Sequence, residues 1–430
     1  MKFGRRRFLA TSLLGGGAAA LVGCSSDDDD GNAAAPTGDT ATAPVQEVQQ
    51  LAYVPFRGPH QAGITHAQNA QGLLAGLTVT SRDRADLLEL FQTLSREIQR
   101  LMEGQPYEDR DPAYPPLYTG AVGNPPPPAD LTVVVSVGAS LFDERFGLAD
   151  RLPAQLVTMP FLANDKLDPA RSHGDLLLTI SSYHEDLNLF ALRQLMRATR
   201  RHLVLKWMVD GYNRRTDTSH DAGAPGGGKR PGGAGVRNLM GFVDGTANLT
   251  TADDVLDRYV WIADGDGEPA WAVGGSYHVV RVIRMFVEFW DRTRLAEQEA
   301  LIGRRKANGA PLDGDVELDV PDYAADPDGK VTPLDAHIRL ANPRTKETDD
   351  SLILRRGINF SRGFDADGHL DQGLAFVSFQ RRMQQFLATQ ARLTGEPLEE
   401  YIEPQGGGFF LALPGVGDDP DDHLGRALVS

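Results

Sequence analysis

Residues 72–102, GLLAGLTVTSRDRADLLELFQTLSREIQRLM, change their repeat near Thr80. Gly72 to Thr80 has the length and composition of a strand. From Asp83 to Met102 the apolar residues Leu87, Leu88, Leu90, Phe91, Leu94, Ile98 and Leu101 recur at helical spacing. Working outward, Leu131 to Val137 and Leu176 to Ile180 read as strands, Leu187 to Thr199 as a helix, and His202 to Val209 as a strand. Strand, helix, strand, strand, helix, strand is the split βαβ order of a ferredoxin-like unit.

A Gly/Pro-rich stretch, residues 221–236, then separates this segment from a second one. Tyr277 to Phe289 reads as a long strand and Arg292 to Leu301 as a helix. Pro311 to Pro343 is loop-rich. Leu352 to Asn359 and Gly373 to Gln380 are strand candidates, with Gln372 to Leu387 alternatively part helix, and Arg381 to Leu393 is helical. The pattern predicts an α+β protein of two halves, 49–220 and 237–430, each an antiparallel sheet with helices on one face.

Composition narrows the function. Of 430 residues, 41% are apolar and 24% charged, which excludes a mainly disordered or fibrous chain. A net charge of −16 repels phosphate backbones and argues against nucleic-acid binding. The single cysteine, Cys24, excludes an intrachain disulfide and any cysteine-built metal cluster, so a metal must use His, Asp, Glu or a cofactor.

The N-terminus reads as an address. Lys2, Arg5, Arg6 and Arg7 precede a Gly/Ala-rich apolar run too short to span a bilayer, which needs about 20 apolar residues. Residues 1–23 therefore read as a signal of the twin-arginine type. Leu21-Val22-Gly23-Cys24 has the form of a lipobox, with Cys24 as the lipidated residue. Residues 24–48 are polar and acidic and read as a disordered tether. The expected location is extracytoplasmic, anchored through Cys24.

Gly223 to Lys229 nearly spells a phosphate loop, but Arg230 replaces the required Ser/Thr, Pro231 follows, and no apolar strand precedes it. Four other segments carry more: Gly241-Phe-Val-Asp-Gly-Thr-Ala-Asn248, Gly274-Gly-Ser-Tyr-His-Val-Val-Arg281, Asp335-Ala-His-Ile-Arg-Leu-Ala-Asn-Pro-Arg344 and Leu352-Ile-Leu-Arg-Arg-Gly357. Taken singly, Asp244-Gly245 is an ordinary turn pair, His337 an ordinary core histidine and Arg355 an ordinary surface cation.

Together, and in this order, they resemble the dye-decolourising peroxidase family, in particular its exported deferrochelatase/peroxidase subgroup. Pro55-Phe-Arg-Gly58, Gln61-Ala-Gly-Ile64, Ile302-Gly-Arg-Arg-Lys306 and Gly309-Ala-Pro-Leu312 extend the resemblance over roughly residues 50–425. It implies two ferredoxin-like halves enclosing one haem b per chain. His337 is implied as the proximal iron ligand, with Asp350 as the acceptor for its second nitrogen, or else Asp349 or a backbone carbonyl. Asp244 is implied as the proton shuttle for hydrogen peroxide and Arg355, with Arg356 as its neighbouring alternative, as the cation that stabilises the departing oxygen. Gly245, Thr246, Ala247, Asn342, Pro343 and Arg344 are implied to contact the porphyrin. Arg281 is either a propionate partner or a strand arginine facing solvent.

The activity implied is peroxide reduction coupled to one-electron oxidation of a small-molecule reductant such as a dye, phenol or porphyrinogen. Trp207, Trp261, Trp271 and Trp290 are either core aromatics or relays for bulky donors. The alternative is release of iron from haem with the tetrapyrrole intact. Implied partners are the twin-arginine export machinery and components of an iron-uptake system, and self-association is compatible with the resemblance.

Overall fold

The computed structural model describes residues 51–214 and 236–430. The signal, Cys24, the tether and all of the Gly-rich stretch except Val236 lie outside the described residues.

The strand and helix expected in residues 72–102 become β1 (Gln71–Val79) and α1 (Arg84–Met102). Asp83 caps the helix by accepting from the Asp86 amide. Leu87, Leu90, Phe91, Leu94, Ile98 and Leu101 are buried, as a single apolar stripe requires. β2 (Thr132–Gly138), β3 (Leu176–Ser182), α2 (Glu185–Ala198) and β4 (Leu203–Tyr212) complete the unit. Its strands pair antiparallel in the order β4-β1-β3-β2.

The second half repeats that order. After α3 (Asp253–Tyr259) come β5 (Ser276–Met285), four short helices, α4 (Val287–Trp290), α5 (Leu295–Ile302), α6 (His337–Ala341) and α7 (Lys346–Asp349), then β6 (Leu354–Arg355), β7 (Ile358–Phe364), β8 (Leu370–Gln380), α8 (Met383–Leu393) and β9 (Ile402–Ala412). Strands run β9-β5-β8-β7, and two-residue β6 also pairs with β8.

Several boundaries differ from expectation. The first strand of this half ends at Met285, because Phe286 already turns into α4. The helix after it begins at Leu295 rather than Arg292. Gln372 belongs to β8, so helix is confined to residues from Met383. The loop-rich stretch up to Pro343 contains α6. β9 was not foreseen, because Pro404 and Gly406 to Gly408 disguise it. These glycines have a steric cause: a Cβ on Gly407 would stand 2.1 Å from the Val280 carbonyl oxygen, and its φ is +107°. The pairing with β5 shifts register opposite this stretch, between Val282 and Ile283.

The two ferredoxin-like halves do not keep separate sheets. β2 pairs with β9 at Ser136↔Ala412, Val137↔Leu411 and Gly138↔Phe410, and β4 pairs with β7 at Tyr212↔Asn359. With β5 also paired to β8, the strands close into a ring. Leu74, Val134, Leu177, Trp207, Val280, Phe360, Phe379 and Phe410, one from each of its eight strands, form a single buried cluster and so fill its interior. α1, α2 and α8 pack on the outer faces. The four tryptophans are all buried, three of them donating an indole N–H to a backbone carbonyl and Trp261 stacked on His60 at 3.8 Å. No helix among the described residues is long and apolar enough to cross a membrane.

Candidate active site

A cavity of about 310 Å³ opens between the outer face of the second half-sheet and its helices. Ile283 and Met285 of β5, Leu374 and Phe376 of β8, and Phe386 and Leu393 of α8 give it apolar walls. Such walls with a few convergent polar groups are the usual make-up of a small-molecule site.

One polar group comes from the Gly241–Asn248 segment. Arg237 and Val243 form a bridge, and the Asp244 amide donates to the Val236 carbonyl at 2.8 Å. Gly245 then turns the chain with φ +81°, and its amide donates to Asp244 Oδ1 at 2.7 Å. A Cβ on Gly245 would meet nothing within 4 Å, so the residue is glycine for its backbone, and the space beside it is open. Thr246 donates to Glu317 Oε1 at 2.8 Å. Arg355, from β6, brings Nη1 to 3.5 Å from Asp244 Oδ1. Its neighbour Arg356 points away, as strand alternation demands, and donates to the carbonyls of Ile64 and His66. Burial pushes the Arg356 pKa down to about 10.

The other polar group is His337, the first residue of α6. This five-residue helix is too short to stand alone. Arg339 ties it to the preceding loop through the Thr332 and Asp326 carbonyls at 2.8 and 2.9 Å. Arg392 of α8 donates to the Leu340 and Ala341 carbonyls at its C-terminus, both at 3.0 Å.

His337 Nδ1 lies 2.8 Å from Glu396 Oε2, whose side chain is only 4% exposed. Asp350 is therefore not the acceptor: its carboxylate is largely exposed and pairs with Arg258 at 3.0 Å, as does Asp349 at 2.7 Å. The partner comes instead from the turn between α8 and β9, 59 residues further along the chain. Burial alone would disfavour the imidazolium, but the charge and hydrogen bond of Glu396 outweigh it and raise the pKa of His337. Arg355 acts to lower it and Asp244 to raise it, so the two polar groups sense each other.

The remaining residues divide. Gly245, Thr246, Ala247, Asn342 and Arg344 line the cavity; Pro343 does not. Arg344 holds φ +60°, with its amide donating to Asn342 Oδ1 at 3.2 Å. Arg281 reaches the wall but faces neither solvent nor a free carboxylate site, because its buried guanidinium is engaged by Asp165. Sequence reasoning missed Glu396, Glu317 and the role of Asn248. Only Asn248 carried a signal, since it closes the segment already singled out.

These groups suit a flat ligand that brings its own metal. Among the described residues no three His, Cys, Asp or Glu cluster to hold a bare ion. With Nδ1 taken by Glu396, His337 has one ring nitrogen left to bind a metal. A lone imidazole donor beside an apolar cavity matches iron whose other positions are filled by a macrocycle.

Comparison with known proteins agrees. The family model for "Dyp-type peroxidase, N-terminal" matches residues 61–213, and that for "Dyp-type peroxidase, C-terminal" matches residues 235–417. The chain belongs to the Dyp-type peroxidase family. As a Dyp-type peroxidase it is an enzyme, and it is 47% identical over 378 residues to the proteins named Deferrochelatase in Escherichia coli (strain K12) and Shigella flexneri, covering 87% of each chain. Among solved Dyp-type peroxidases, that of Cellulomonas bogoriensis aligns with TM-score 0.76 and 32% identity, covering 88% of this chain and 98% of that one. A Rhodococcus jostii DypB variant, solved in complex with heme, shares the fold at TM-score 0.58 and 22% identity, over 82% of this chain and 95% of that one.

Proposed function

We propose that this Dyp-type peroxidase holds one haem b in the cavity of its C-terminal half, reduces hydrogen peroxide and oxidises small organic one-electron donors. The observation that carries the reading is the pairing of Asp244 with Arg355 and of His337 with Glu396 in the wall of one apolar cavity. When bound, the haem supplies the electrons that break the peroxide O–O bond and regains them singly from donors.

The residues do the rest. His337 holds the iron through Nε2, and Glu396 accepts from its Nδ1, fixing the tautomer and strengthening the ligand. The Asp244 carboxylate takes a proton from one peroxide oxygen and returns it to the other, which leaves as water. Arg355 offers a fixed fork of donors to the charge that develops on the departing oxygen. Asn342, Arg344, Gly245, Thr246 and Ala247 frame the porphyrin. Asp244→Asn is expected to retain haem and to slow the peroxide step by about 10²-fold or more in stopped-flow spectra. An unchanged rate removes Asp244 from this role.

The relatives named Deferrochelatase support a second reading of the same cavity: release of iron with the tetrapyrrole intact, serving an iron-uptake system. Fluorescence of metal-free porphyrin after supplying haem without peroxide distinguishes it from peroxidase turnover. The twin-arginine signal and the lipobox support export and anchoring through Cys24.

A further inference from the structure

Arg355 sits on the shortest strand of the sheet, with only two registered pairs, Leu354↔Phe379 and Arg355↔Ser378. Two pairs are too few to fix a strand, yet a cation meant to stabilise developing charge must be held in place before the reaction. Its backbone is gripped from elsewhere. The Arg355 amide donates to Asn248 Oδ1 at 2.8 Å, and Asn248 Nδ2 donates back to the Arg355 carbonyl at 2.8 Å. A primary amide carries both the donor and the acceptor that this pair of bonds needs. Asn248 lies four residues after Asp244 in the same segment, so one side chain ties the backbone that carries the acid to the backbone that carries the cation.

The next two residues are held by the N-terminal half. Arg356 donates through Nε and Nη2 to the Ile64 carbonyl at 3.1 and 3.0 Å, and through Nη2 to the His66 carbonyl at 2.5 Å. The Gly357 carbonyl accepts from Gln68 at 2.6 Å and from Asn213 at 3.3 Å. Ile64, His66, Gln68 and Asn213 all belong to the N-terminal half.

We infer that Asn248 and Arg356 are positioning residues for the peroxide reaction: they clamp the backbone of residues 355–357 from both sides and so set where the Arg355 guanidinium stands relative to Asp244. The inference rests on the role given to Arg355 above. It makes the reactivity of the C-terminal cavity depend on carbonyls supplied by the N-terminal half.

The test uses the haem-loaded full chain and four variants, Asn248→Ala, Asn248→Asp, Arg356→Lys and, as reference, Arg355→Leu. Four quantities are read: kcat/KM for hydrogen peroxide, cyanide affinity, thermal midpoint, and amide hydrogen exchange of the peptide spanning 352–358. Asn248→Ala is expected to lower kcat/KM about 10- to 100-fold, the scale of a small misplacement of a reacting group. It should also weaken cyanide binding and speed exchange at Arg355. Arg356→Lys keeps the charge but loses the fork, and should show the same signature to a smaller degree. Asn248→Asp keeps the shape and the acceptor but sets a charged oxygen against the Arg355 carbonyl in place of the donor, so it breaks the clamp without a cavity and carries the comparison if the alanine variant does not fold. If Arg355→Leu loses activity while the clamp variants match wild type in kcat/KM and cyanide affinity, whatever their thermal midpoints, the clamp is wrong and Arg355 keeps its role. If Arg355→Leu is itself without effect, both fall.

Discussion

The two halves share one strand order, but they use the space between sheet and helices differently: in the second it holds the apolar cavity with His337 in its wall. In the N-terminal half a single 19-residue helix, α1, crosses from β1 to β2 and packs on α2. Its Leu87, Leu90, Phe91 and Leu94 are fully buried against the sheet and α2. In the C-terminal half the corresponding crossover, residues 286–353, is broken into α4 to α7. There α6 packs on α8 as α1 packs on α2, but it is one and a half turns long and begins with His337. A broken crossover leaves a cavity under the helices and delivers an imidazole to its edge. The lesson is that the site comes from replacing one amphipathic stripe with short, separately anchored pieces.

That contrast can be broken by truncating a side chain in each half. Leu90→Ala should cost about 2–5 kcal/mol of stability in chemical denaturation and leave haem affinity unchanged, since it opens a void in a closed core. Leu374→Ala, on a cavity wall that is already partly open, should cost about 1 kcal/mol or less and weaken haem binding instead. Equal stability losses would show that the C-terminal cavity is not the open space described.

A smaller effect sharpens the account of how α6 is used. Glu396→Gln removes the charge that raises the His337 pKa while keeping the side-chain shape. Activity with peroxide should fall about 10-fold, the low end for losing such a partner, and the reduction potential of the bound haem should rise. Asp350→Asn should change neither.

The smallest effect concerns the β7–β8 hairpin. Arg284 bonds Asp365 at 2.7 Å and, with backbone donors, holds its pKa down to about 2. A depressed carboxyl pKa stabilises the fold above the unfolded value near 3.9, and that contribution is lost as pH falls through the folded value. The thermal midpoint of Asp365→Asn should therefore lie below wild type at pH 6 and converge with it near pH 2.

What the sequence made legible follows the same division. β1, α1, β2, β3, α2 and β4 were readable because each is a short apolar run or a periodic stripe of ordinary length. Asp244, His337 and Arg355 were found through short segments whose residue order resembles a known family, and the fold brings all three to one cavity. Glu396 was out of reach: its neighbours Gly395 and Pro397 mark only a turn, and its meeting with His337 depends on how α8 packs against α6. The expected acceptor, Asp350, is claimed by Arg258 instead. The closed ring was hidden for a related reason. Its seams, β2–β9 and β4–β7, join strands far apart in the chain over at most three residue pairs, and nothing local announces them.

The most direct test is a titration of the full chain and of His337→Ala with haem, followed by absorption and magnetic circular dichroism. Wild type should saturate at one haem per chain with the spectrum of a single axial imidazole, and His337→Ala should lose that spectrum and most of its affinity. A variant that binds haem as tightly, with the imidazole signature intact, would contradict the assignment of the ligand and with it the chemistry placed in this cavity.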